Sequence, residues 1–76
     1  MTHTDTSISR ESLLTPQSLH REAAVQLEKA LMHHRQAVLL HDAGDARQAE
    51  TQGGLAYNHT AHALEVSGRA LNVLLW

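Results

Sequence analysis

Alanine recurs at every seventh position in two stretches of the chain, as Ala23, Ala30 and Ala37 and then as Ala49, Ala56, Ala63 and Ala70. A seven-residue period belongs to helices packed along a narrow seam, and alanine at that seam lets two helix axes approach closely. The punctuation agrees with the period. Thr15-Pro16 supplies a capping hydroxyl followed by a proline at the first helical position, where its missing N–H costs nothing. Ala43-Gly44-Asp45 supplies a glycine to end one helix and an aspartate to cap the next, with Gln48 completing a capping-box pattern. These signals predict a first helix over about 16–42, a turn at 43–45 and a second helix over about 46–75. Gly53-Gly54 is the weak point, since each glycine inside a helix costs about 1 kcal/mol relative to alanine. The alanine repeat crosses it without a phase shift, which predicts one continuous second helix.

The fold class that follows is all-α: an antiparallel two-helix hairpin with alanine-based heptads, in which facing residue numbers sum to roughly 89. With the alanines at d, the first helix carries His20, Leu27, His34 and His41 at a, and Ala24, Leu31 and Val38 at e. The second carries Ala46, Gly53, Thr60, Ser67 and Leu74 at a, and Glu50, Tyr57, Leu64 and Leu71 at e. Large residues then face small ones across the hairpin, with His34 near the room left by Gly53.

A second apolar stripe, Val25, Met32 and Leu39, also keeps the seven-residue period at f, beyond a charged column of Arg21, Glu28, Arg35 and Asp42. A lone hairpin leaves that stripe in water, and rows of exposed apolar side chains mark interfaces. It predicts a homodimer forming a four-helix bundle; scattered surface apolar residues are the plainer alternative. Residues 1–12, rich in Ser and Thr and without periodicity, read as a disordered arm ahead of a hairpin spanning 13–76. Leu13 and Leu14 come level with Leu75 and Trp76, which adds the apolar tail LNVLLW to the expected interface.

Size strengthens the case for association, because 76 residues are few for a self-sufficient core and no cysteine is present to staple it. A net charge of −2 with interspersed signs offers no basic patch for nucleic acid and no polybasic membrane anchor. The polar start lacks a secretory signal and no apolar run approaches a membrane span, so the expected location is cytoplasmic.

The anomaly is seven histidines beside two aromatic residues. Imidazole ligates Cu(II), Ni(II) and Zn(II). His33 and His59 share the g column on one flank of the hairpin, and His62 lies three residues beyond His59, so these three form the candidate metal set. His34 and His41 form a weaker one. Against this stands the use of histidine as a helix-compatible residue with an apolar body and a polar tip. Titrating histidines would also make an assembly responsive to pH. No nucleophile lies beside a base in a recognisable motif, and no phosphate-binding glycine loop follows a strand, so an enzyme is not expected.

The segment HREAAVQLEKALMHHRQAVLLHDAGDARQAE, followed by LAYNHTAHALEVSGRAL, resembles a group of small bacterial His-rich helical proteins in which units such as HHREAA and HHEKAA repeat about an AGD turn. It is similar, more loosely, to the small metal-binding protein of ammonia oxidisers. The resemblance covers about residues 19–75. It implies a periplasmic or cytoplasmic helical bundle that binds divalent metal through surface imidazoles, here His20, His33, His34, His41, His59 and His62. The chain departs from the group's histidine pattern at Gln26, Leu27, Leu40, Gly54, Tyr57 and Thr60. The sequence therefore supports two functional expectations: a self-associating helical module with a histidine-based metal capacity, or a purely structural adaptor for a helical protein partner.

Overall fold

The computed structural model describes residues 15–75, which form two helices, α1 over Pro16–Asp42 and α2 over Ala46–Leu75. Both starts, and the end of α1, fall where the local chemistry places them. Thr15 adopts an extended conformation and its hydroxyl accepts the Ser18 N–H at 3.1 Å, while Pro16 opens the first turn. At the other end Gly44 takes φ +83°, in the left-handed region that favours glycine. The chain thereby turns back far enough for Asp45 N–H to donate to Leu40 O at 2.8 Å and Gly44 N–H to donate to His41 O at 3.0 Å. This pair of bonds satisfies carbonyls that the end of α1 leaves open. The Asp45 carboxylate then accepts the Gln48 N–H at 3.1 Å and so caps α2. One half of the expected capping box is formed; the Asp45 N–H, the target of the other half, is committed to Leu40.

α2 runs unbroken through Gly53-Gly54, as the alanine phase requires. The two helices lie antiparallel, and the alanine columns form the seam between them. Ala23, Ala30, Ala49, Ala56, Ala63 and Ala70 are all buried, and Ala37 is half-buried.

The second inner column differs from the expectation. It is g, not a: Leu19 and Gln26 of α1 and Val66 of α2 are buried, and His33, Leu40, Gln52 and His59 are half-buried. Leu27, His34 and His41, which the heptad reading put at the core edge, are exposed. The register shifts accordingly. The hydrogen-bonded pairs Gln26–His59 and His33–Gln52 both sum to 85, four below the predicted 89. Both a and g adjoin d on a helical wheel, so alanine spacing alone does not choose between them. Burying g brings Leu19 onto Val66 beside Ala23 and Ala70, a small apolar cluster at the open end, and it pairs the polar g residues with one another.

The expected arm at 1–12, the packing of Leu13 and Leu14, and Trp76 lie outside the described residues, as does the side chain of Leu75. Among the described residues, no helix is long and apolar enough to cross a membrane.

Candidate functional site

The middle of the hairpin interior is polar. Gln26 is 7% exposed, and its amide bridges two groups: Nε2 donates to Glu22 Oε2 at 3.1 Å, and Oε1 accepts from His59 Nδ1 at 2.6 Å. One heptad further along α1, His33 Nδ1 donates to Gln52 Oε1 at 2.7 Å. A carbonyl oxygen only accepts, so both imidazoles donate from Nδ1, which in the neutral ring leaves Nε2 as the acceptor. Between the two bonds the His33 and His59 rings stack, with centroids 5.5 Å apart and planes within 1° of parallel. Outside them, His62 Nε2 lies 3.9 Å from Glu22 Oε2 on a half-exposed surface, where an ion pair contributes little. The polar side chains thus form a connected line across the hairpin, from His62 through Glu22, Gln26, His59 and His33 to Gln52.

This layer is built from an internal repeat. Ala23, Gln26, Ala30, His33 and Ala37 of α1 have the same spacing as Ala49, Gln52, Ala56, His59 and Ala63 of α2. Antiparallel packing of two identical motifs places each glutamine opposite the other helix's histidine, related by a local two-fold axis. The pairing signal was available in the sequence as this repeat, in which each helix carries a glutamine seven residues before its histidine. The arrangement also selects register. A slip of one heptad one way sets His59 against Leu19; the other way it sets Gln26 against Val66 and Gln52 against Leu40, so only the observed register matches every inner polar residue with a polar partner.

The expected metal set is brought together in part. His33 and His59 are in contact, whereas His62 is beside Glu22. The lone pairs of two imidazoles in distinct parallel planes do not converge on one point, so the stacked pair as it stands does not direct both Nε2 atoms at a single ion. Among the described residues no group of three His, Asp or Glu side chains is placed to hold a metal. His34 and His41 are exposed along the a column of α1.

The surface carries the larger apolar residues. Val25, Met32 and Leu39 are exposed at f, as their period required. A broader apolar surface lies elsewhere. With d and g turned inward, the a and e columns of both helices fall on one face of the antiparallel pair, carrying Leu27, Leu31, Val38, Tyr57, Leu64 and Leu71 at 49–74% exposure. The opposite face carries Glu22 and His62. Sequence reasoning passed over this surface because it assigned a to the core.

No protein-family model, curated protein or solved structure matches the chain.

Proposed function

We propose that this protein is a non-enzymatic association module, a helical hairpin whose role is completed by pairing with a second copy of itself. One observation carries the reading: among the described residues the buried core is mostly alanine, joined by Leu19 and Val66, while ten Leu, Val, Met and Tyr residues remain 38–74% exposed on the outside. Folding normally removes the large apolar side chains from water first, because each contributes about 1.5–3 kcal/mol when buried and alanine far less. A hairpin with the opposite distribution has its main hydrophobic stabilisation still to come. Sedimentation of tag-free protein tests this directly. The expected result is a concentration-dependent dimer; a single species of 8.4 kDa at hundreds of micromolar overturns the proposal.

Divalent-metal binding is the second reading. It is favoured by the Gln26 and Gln52 carbonyls, which hold the Nδ1–H of His59 and His33 in the way that outer partners orient metal-ligating imidazoles, with Nε2 left for the ion. The parallel rings give each imidazole its own ion, or an ion completed by a second copy. Titration with Zn(II), Cu(II) and Ni(II) decides it. Affinity no tighter than about 100 µM, or binding unchanged in His33→Ala with His59→Ala, removes this reading.

A further inference from the structure

Resting on the association reading, we infer that the second copy docks face to face on the a/e surface, and that the two hairpins lie with their turns at the same end. The occupant follows first from area. Leu27, Leu31, Val38, Tyr57, Leu64 and Leu71 are each half to three-quarters exposed. At on the order of 100 Å2 apiece they offer about 600 Å2 per copy, or about 1,200 Å2 for two. That reaches the lower bound of a stable protein interface before Ala24, Gly53 and Thr60 between them are counted. The f stripe of Val25, Met32 and Leu39, on one helix alone, offers about half as much.

The orientation follows from the a columns. In the observed register the a residues of α1 and the nearest a residues of α2 pair as His20 with Ser67, Leu27 with Thr60, His34 with Gly53 and His41 with Ala46. Every pair sets a large side chain on α1 against a small one on α2. When a second hairpin is rotated about an axis parallel to the helices, α1 of one copy covers α2 of the other and the turns stay together. Each layer of the bundle then holds two large and two small residues at alternate corners, which fills a core at native density. Rotation about the perpendicular axis instead sets α1 on α1. The α1 column then faces itself in reverse, Leu27 against His34 and His20 against His41, while Gly53 and Thr60 face one another across a void.

The chain has no cysteine, so a spin label on Ala43→Cys in the exposed turn reports one intermolecular distance and leaves both apolar faces intact. Turns at the same end give a label separation comparable to the width of the bundle. Turns at opposite ends give roughly the 40 Å length of α1. Sedimentation of Leu31→Lys, Leu64→Lys and Met32→Lys, with helicity followed by circular dichroism, accompanies it. Loss of the dimer in the first two and its retention in Met32→Lys is the expected outcome. A parent chain that stays monomeric overturns both the association reading and this inference. A parent dimer that survives Leu31→Lys and Leu64→Lys but is lost in Met32→Lys overturns the face alone. A label distance near the helix length overturns the orientation alone. The labelled chain keeps the native interface, so its distance remains decisive even where a lysine variant does not fold.

Discussion

The rings of His33 and His59 lie parallel with centroids 5.5 Å apart, each held at Nδ1 by a glutamine of the opposite helix. The contact sits where a hairpin of this size would ordinarily place leucine. Its members are each satisfied by a glutamine of the other helix, and both Gln–His bonds are lost if the helices slide by a heptad.

Disrupting one partner is therefore more damaging than exchanging the two. Gln26→Ala leaves the His59 Nδ1–H without its acceptor and is expected to lower stability by about 1–3 kcal/mol. In a domain of this length that is a fall in Tm of at least about 4 °C by thermal circular dichroism. Gln26→His alone places imidazole against imidazole and is expected to be similarly costly. Gln26→His combined with His59→Gln restores the pairing with the roles reversed and should recover most of the loss. A double variant no more stable than the single ones would show that the bond contributes nothing to the fold.

Replacing the pair by an apolar one separates stability from register. Gln26→Leu with His59→Leu removes both polar groups at once and is expected to be neutral or stabilising in thermal denaturation. The same variant should broaden the distribution of interhelix distances measured between labels on α1 and α2, because an apolar column tolerates slippage that the Gln–His pairs do not.

The alanine seam predicts a sharp positional contrast. Ala56 is fully buried between the helices, so Ala56→Leu forces them apart and is expected to cost about 1–3 kcal/mol. Ala61→Leu, an exposed position of the same helix, should change stability by no more than about 0.5 kcal/mol. Chemical denaturation of the two variants side by side checks the difference.

Glycines divide in the same way. A Cβ added at Gly54 meets nothing within 4 Å, so Gly54→Ala removes a helix-weakening residue and should stabilise by about 0.4–1 kcal/mol. Gly44→Ala also meets no neighbour, yet its φ of +83° carries the cost, and about 1 kcal/mol of destabilisation is expected. Opposite signs in equilibrium unfolding are the result to look for.

The helix limits were legible because caps are local chemistry: Thr15-Pro16, Gly44 and Asp45 each act within one turn of their own position. The continuity of α2 was legible because Ala49, Ala56, Ala63 and Ala70 hold phase through the two glycines. The inner column was not, because Leu27 at a looks more like core than Gln26 or His33 at g. Only the partner helix reveals that Gln26 has His59 to answer it and His33 has Gln52. Polarity judged one residue at a time hid a pair that is satisfied only in common. The same misassignment concealed the surface formed by Leu31, Val38, Tyr57, Leu64 and Leu71. Whether a column faces a neighbour or water was decided for both helices by that one step.

The motif shared by the two helices has a bearing on how such a hairpin arises. Each copy contains both a glutamine and a histidine at spacings that complement themselves when the copy is reversed. A stretch of coding sequence about one helix long, duplicated once in tandem, therefore yields a hairpin whose inner contacts already match, with no compensating change required in either half. The symmetry stops at the inner column: at the a positions α1 carries His20, Leu27, His34 and His41 where α2 carries Ser67, Thr60, Gly53 and Ala46, so a self-complementary interior is joined to an outer face whose two halves differ in bulk.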